Sequence, residues 1–246
     1  MAYYFWGKSN SKVAIFAHKT ANNIEVLIGK YTMSEITRRL PVYLLLDTSG
    51  SMSGDPIAAV RQGVKALLAD LRSDPQAIET AYLSVITFDS VPRQVVPLTE
   101  LMAFQEPPLT ASGATALGGA LKMLDEAIDR EVRKNSPTQK GDWKPLIFLM
   151  TDGMPTDNWE SIADTIRKKK PGNLIACGAG SGADEKVLKR ITEIVVRLDT
   201  LQPDSLKAFF KWVSDSIKVT SQSVAQVAAD MPINLPPPPP QIQIVP

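Results

Sequence analysis

The chain has 246 residues, enough for one large α/β domain or two small ones, and its 44% apolar and 22% charged residues are ordinary for a globular protein. A formal net charge of +1 supplies no global attraction to nucleic acid or to an anionic membrane surface, and no apolar run approaches the roughly 18 residues of a bilayer span. Cys177 is the single cysteine, which excludes an intrachain disulfide, and the start MAYYFWGKSNSK lacks a leader pattern, so the expected compartment is the cytoplasm.

Residues 1–38 stand apart as an N-terminal extension. Two apolar runs, Val13–Ala17 and Ile24–Ile28, flank HKTANN, and Asn22-Asn23 tolerates turn conformations, so a hairpin is predicted here. Met33 is also a candidate native start, and the two readings, a real extension or an over-long start, both stand. His18, the sole histidine, falls in this region and is not expected to be catalytic.

Val42–Leu46 is five apolar residues in succession, which predicts a strand buried on both faces of a mostly parallel sheet. It runs directly into Asp47, Ser49 and Ser51, with Gly50 to allow a tight turn. Asp55-Pro56 predicts the N-cap and first residue of a helix. Ile57, Val60, Val64, Leu67, Leu68 and Leu71 recur at helical spacing until Ser73-Asp74-Pro75 ends it. Ala81–Phe88 predicts a strand, Asp89-Ser90 a turn, and Arg93–Val96 an edge strand bounded by Pro92 and Pro97.

A connection through Pro108 leads to SGATALGGAL, in which a glycine-rich loop around Thr115 opens a helix carrying Leu117, Leu121, Leu124 and Ile128. The strand Leu146–Met150 ends, like the first, in a carboxylate: Thr151-Asp152-Gly153. A helix near residues 158–169 is expected to be capped by Asp157 or Asn158, and Lys168 to Lys170 suit its negative pole. Leu174–Cys177 and Val195–Leu198 predict strands either side of a helix over residues 184–192. Pro203-Asp204 starts a last helix with Leu206, Phe209, Phe210, Val213 and Ile217 on its apolar face. This alternation predicts, for residues 39–222, an open doubly wound α/β sheet, mostly parallel, with helices on both faces and one antiparallel edge strand. Residues 223–246, with five successive prolines at 236–240, predict an extended or polyproline II tail.

In open α/β sheets ligands bind at the carboxyl ends of the strands, and right-handed crossovers bring those ends to one edge. Asp47, Ser49, Ser51 and Asp152 follow strand ends and Thr115 opens a helix, so the five oxygen groups are expected to converge. DTSGS by itself is equally a turn with an N-cap; its agreement with Thr115 and TDG favours a metal site. Oxygen-only ligands select against zinc and copper and for Mg²⁺, with Mn²⁺ or Ca²⁺ as alternatives. Two carboxylates under-neutralise such an ion if they act through water, which leaves it open to one more anionic oxygen from outside. Asp89 reads as a hairpin-turn residue and Cys177 as a small buried hydrophobe. Trp143, Trp159 and Trp212 stay unassigned between core and rim.

DTSGS at residues 47–51, Thr115 within SGATALGGAL and TDG at 151–153 resemble the metal-ion-dependent adhesion site of the von Willebrand factor A family in residue type, chain order and separation. The resemblance covers residues 39–219. It implies direct binding of the ion by Ser49 and Ser51, direct or water-mediated binding by Thr115, and water-mediated binding by Asp47 and Asp152. It also implies a sixth position for water or a partner's Asp or Glu. Within the family, RRLPVYLLLDTSGSMSGDPI, SGATALGGAL and FLMTDGMPTD are most similar to bacterial TerY-type proteins of tellurium resistance. By that resemblance, partners would be kinase- or phosphatase-like stress-response proteins.

The leading expectation is therefore a non-enzymatic module that presents Mg²⁺ to an acidic side chain of a protein partner. The alternative is a metal-dependent hydrolase or phosphoryl-transfer enzyme on a related sheet, which would need a nucleophile or base near the metal. A phosphoaspartyl enzyme would want a carboxylate two positions after Asp47, where Ser49 stands. No P-loop and no histidine base occur in residues 39–222.

Overall fold

A computed structural model of the chain describes residues 5–6, 12–20, 23–31, 38–137, 140–226 and 235–246, the first three segments for the course of their backbone. The chain divides into two compact units. One comprises residues 1–37 with 137–140 and contains β1 (Phe5–Trp6), β2 (Lys12–Thr20) and β3 (Asn23–Tyr31). These form an antiparallel sheet in the order β1-β2-β3, with Thr20 opposite Asn23. The hairpin predicted around HKTANN is present, with each strand longer than its apolar run.

The other unit, residues 38–136 and 141–246, is a seven-stranded sheet with helices on both faces. Its strands are β4 (Leu40–Asp47), β5 (Ala81–Phe88), β6 (Pro92–Glu100), β7 (Leu146–Thr151), β8 (Asn173–Ala179), β9 (Ile194–Leu198) and β10 (Ile242–Ile244). The helices are α1 (Asp55–Leu71), α2 (Pro75–Thr80), α3 (Leu117–Glu131), α4 (Glu160–Lys169), α5 (Glu185–Ile191) and α6 (Pro203–Gln226). Strand order is β10-β9-β8-β7-β4-β5-β6, parallel from β9 to β5 and antiparallel at both edges. The chain leaves β4 for β5 on one side and later returns to β7 on the other. Strand order therefore reverses between β4 and β7, and that is where a ligand crevice forms.

The run of apolar residues in β4 follows from this central place. Leu40, Val42, Leu44 and Leu46 pack with α1 and α6 on one face, and Tyr43 and Leu45 pack with α3, α4 and α5 on the other. Helix α6 approaches α1 closely at Gly63, where a Cβ would come within 2.1 Å of the Phe210 ring. Next to this contact Asp70 accepts hydrogen bonds from Ser214 Oγ (2.6 Å) and pairs with Lys218 (2.6 Å), tying the two helices together.

Several expectations are corrected. The Ser73-Asp74-Pro75 stop is also a start: Asp74 accepts from the Ala77 amide at 2.8 Å and caps α2. Strand β6 runs through both Pro92 and Pro97, which an edge tolerates because one side of its ladder needs no N–H donors. The sheet has two antiparallel edges where one was expected, because the proline-rich stretch ends in a strand. Ile242 lies opposite Leu198, is buried in the core, and the Val245 amide donates to Val195 O at 2.9 Å. Upstream, the Trp212 indole N–H donates to Pro236 O at 2.9 Å. Trp143 and Trp212 are core residues and Trp159 is half-buried against the α3–α4 face. Cys177 is fully buried and its thiol pKa is pushed far up by that burial, as a small hydrophobe in β8 should be.

Candidate metal centre at the carboxyl edge of the sheet

β4 ends at Asp47 and β7 ends at Thr151, neighbours in the sheet, so the two carboxylate loops emerge side by side. Asp47 is fully buried. Its Oδ1 accepts from the Ser49 amide at 2.8 Å, and its Oδ2 accepts from the Thr151 hydroxyl at 2.5 Å. Asp47 is thus a brace, closing its own loop and clamping it to β7. The next two hydroxyls run outward from it: Ser49 Oγ lies 3.1 Å from Ser51 Oγ, and Ser51 donates to Asp152 Oδ1 at 2.8 Å.

Thr115 reaches the same edge through three loops. Ser112 N donates to Thr48 O and Gly50 N to Gly113 O, both at 2.9 Å, which lays the glycine-rich loop along the DTSGS turn. Gly113 has φ +71°, and a Cβ there would come within 2.4 Å of Ser90 Oγ, so this position needs glycine on two counts. Ala114 N donates to Ser90 Oγ at 3.0 Å and Ala116 N to Asp89 O at 2.8 Å. On the other side Thr115 N donates to Thr156 Oγ1 at 3.1 Å and Thr156 N to Thr115 O at 2.9 Å. Thr115 itself is buried, and its Oγ1 lies 3.5 Å from where a Cβ on Gly153 would be. All five predicted side chains are thereby brought to one edge.

Burial pushes the Asp47 carboxyl above the ordinary carboxylate range; hydrogen bonds from Ser49 and Thr151 oppose this, and the charge of Asp152 adds to it. Asp152 is also raised, by burial, against the Ser51 hydrogen bond. Two buried carboxylates, one of them accepting from the Ser49–Ser51 hydroxyl pair, are an arrangement that a cation would relieve. Adjacent oxygens of an octahedral Mg²⁺ shell, with Mg–O of 2.0–2.1 Å, stand about 2.9 Å apart. The 3.1 Å separation of the Ser49 and Ser51 hydroxyl oxygens is close to that edge, and Asp152 accepts from Ser51 just outside it. Among the described residues no group of three or more His, Cys, Asp or Glu side chains is placed to hold a metal, so any centre here depends on hydroxyl donors. That donor set fits a hard divalent cation.

Sequence reasoning overlooked three supporting groups. Thr151 is inside the TDG triplet, but only the β4–β7 pairing shows that its hydroxyl holds Asp47. Thr156 carried no signal. Asp157, expected to cap the helix that follows it, instead accepts from Gly118 N (2.9 Å) and Gly119 N (2.8 Å) at the start of α3. Helix α4 begins two residues later than expected, at Glu160, with Trp159 at the N-cap position. Asp89 behaves as the turn residue it was expected to be, accepting from Val91 N at 2.8 Å and pairing with Arg93.

A buried, mostly parallel sheet with antiparallel edges, carrying an oxygen-only constellation at its switch point, defines an open doubly wound α/β domain with a candidate metal centre. The family model for the von Willebrand factor type A domain matches residues 42–215, and the chain belongs to that family. Domains of this family are generally interaction modules without catalytic activity. A comparison with curated proteins finds no match. Among solved structures the chain is similar to proximal thread matrix protein 1 of the mussel byssus (TM-score 0.55, 19% identity, 72% of this chain and 48% of that one). It is also similar to the ArnB paralog VWA2 from Sulfolobus acidocaldarius (0.53, 15%, 73% and 45%). A third is the pilus adhesin SpaC from Lactobacillus rhamnosus GG (0.60, 15%, 88% and 36%). The chain spans half or less of the length of these proteins, and at such identities the likeness speaks for the fold. The mussel protein has also been solved with zinc occupying its metal-ion-dependent adhesion site.

Proposed function

We propose that this chain is a binding module that holds a hard divalent cation, Mg²⁺ first and Mn²⁺ or Ca²⁺ second, and captures a protein partner through that ion. Ser49, Ser51 and Thr115 would supply hydroxyl oxygens, Asp47 and Asp152 would hold the ion's water shell, and an Asp or Glu of the partner would complete the coordination. The observation that carries this reading is the Ser49–Ser51 hydroxyl pair, 3.1 Å apart, with Ser51 hydrogen-bonded to Asp152 and Thr115 brought to the same edge, and with only two carboxylates. A cation so held keeps net positive charge, which is what recruits an anionic ligand. No nucleic acid or membrane partner is proposed.

The further placement, in a bacterial chemical-stress system of the tellurium-resistance type with kinase- or phosphatase-like partners, rests on the likeness of three sequence segments alone. A cytoplasmic location rests on the single-cysteine composition. The test is an affinity capture from a bacterial lysate with Mg²⁺ present, comparing the native chain, Ser49→Ala and Asp47→Ala. Capture is expected for the native chain only, and zinc in place of Mg²⁺ is a necessary arm given the mussel protein. Capture that persists in EDTA refutes the metal bridge.

A further inference from the structure

We propose that Gly182, in the loop between β8 and α5, is a positioning residue for the metal centre: it lets that loop lie against the backbone of Asp152 and so sets where the Asp152 carboxylate stands. This rests on the metal reading above and adds a further chain segment to the site. Strands β7 and β8 are neighbours with Thr151 opposite Gly178, so the chain leaves β8 directly beside the Asp152 loop. A Cβ on Gly182 would come within 2.4 Å of Asp152 O and 3.6 Å of Asp152 C. Both are backbone atoms, which cannot swing aside as the end of a flexible side chain can.

The alternate glycines of GAGSG at residues 178–182 answer to different demands. Gly180 has φ +75°, a conformation that favours glycine whatever surrounds it. Gly178 lies where α5 closes on β8, with Ala183 and Leu188 both 3.1 Å from where a Cβ would be. Gly182 has a negative φ and is exposed, so neither backbone conformation nor core packing asks for glycine there. Close approach to Asp152 is the remaining reason. If that approach is blocked, Asp152 is the side that gives. The β8 loop is pinned before and after Gly182: Gly180 N donates to Leu198 O at 2.8 Å, and Asp184 caps α5 by accepting from Lys186 N at 2.7 Å. Asp152 lies just past the end of β7, with its carboxylate accepting from the Ser51 hydroxyl. A shift of its backbone therefore moves that carboxylate relative to the Ser49–Ser51 pair.

The test titrates Mg²⁺ into the whole chain, followed by amide chemical shifts, with Tm in EDTA measured alongside. In the native chain Mg²⁺ is expected to move the amides of Gly182 and Ala183 together with those of Ser51 and Asp152. Gly182→Ala should bind Mg²⁺ about tenfold more weakly, the lower end of what loss of an outer support costs a metal site. Two controls should keep the native Mg²⁺ affinity: Ser181→Ala at the exposed neighbour, and Ile242→Ala, which lowers Tm from the edge of the sheet. Native affinity in Gly182→Ala, or an equal loss in Ile242→Ala, overturns the positioning role and leaves the metal reading intact. If Gly182→Ala does not fold, the native chain decides: Gly182 and Ala183 amides that stay still while that of Ser51 moves overturn the role. No Mg²⁺-dependent shift at any of these residues overturns the metal reading and the role with it.

Discussion

Asp157 holds the start of α3 from a loop 38 residues away, and its removal is a direct test of how the site is built. Both carboxylate oxygens accept amides of the first helical turn, at 2.9 and 2.8 Å from Gly118 and Gly119. Loss of a capping acceptor costs about 1 kcal/mol, and loss of a negative charge at a helix N-terminus about 0.3–1 kcal/mol more. Asp157→Ala should therefore destabilise the domain by about 1.5–2 kcal/mol. For a domain of this size that is a fall of about 3–8 °C in Tm, at roughly 2–4 °C per kcal/mol. Asp157→Asn keeps one acceptor and should lose about half as much. The assay is thermal denaturation in EDTA, repeated with Mg²⁺. The Thr115 loop leads into the same helical turn, so the Tm rise on adding Mg²⁺ should also shrink in Asp157→Ala. An unchanged Tm in EDTA would show that the cap carries no load. A normal fall in Tm with a full Mg²⁺ response would show that α3 and the metal site are uncoupled.

Three further outcomes are expected. Burial raises the folded-state pKa of Asp47 above its unfolded value, so its charge opposes folding at neutral pH when no cation is bound; Asp47→Asn should raise Tm in EDTA and abolish the Mg²⁺-dependent rise, and a lower Tm in EDTA would contradict this. For Asp70, burial pushes the pKa up, but hydrogen bonds from Lys218 and Ser214 outweigh it and hold the carboxyl below its ordinary range. That stabilisation is fully present above the unfolded pKa and is lost as pH falls through the folded one. The stability gap between the native chain and Asp70→Asn in urea titrations should therefore narrow below about pH 4, and a gap independent of pH would refute it. Ile242→Ala should cost about 2 kcal/mol in urea denaturation, the lower end for a buried Ile because the strand is short and at the sheet edge; no change would mean that β10 does not support the fold.

Much of this molecule was legible in the chain because the signals are local. Five apolar residues ending in Asp47 mark a central strand whatever surrounds it, and helical spacing marks α1, α3 and α6 in the same way. The candidate ligand set was legible for a similar reason: Asp47, Ser49 and Ser51 sit within five residues, and Asp152 follows the end of a strand of the same kind. What the sequence could not decide are pairings that depend on which chain ends the sheet brings together. Asp157 looks like the cap of the helix after it, and a preference for N-caps cannot say which helix will present its amides. Thr151 becomes a brace for Asp47, 104 residues away, only because β4 and β7 are neighbours in register. The proline run predicts an extended tail, but not that β9 has an open edge for Ile242 to join. The sequence by itself determined the central strands, the helix faces and the candidate oxygen ligands, since each depends on periodicity or chemistry within a few residues. The tertiary structure alone decided how Asp47 and the Thr115 loop are braced, because that depends on contacts between segments far apart in the chain.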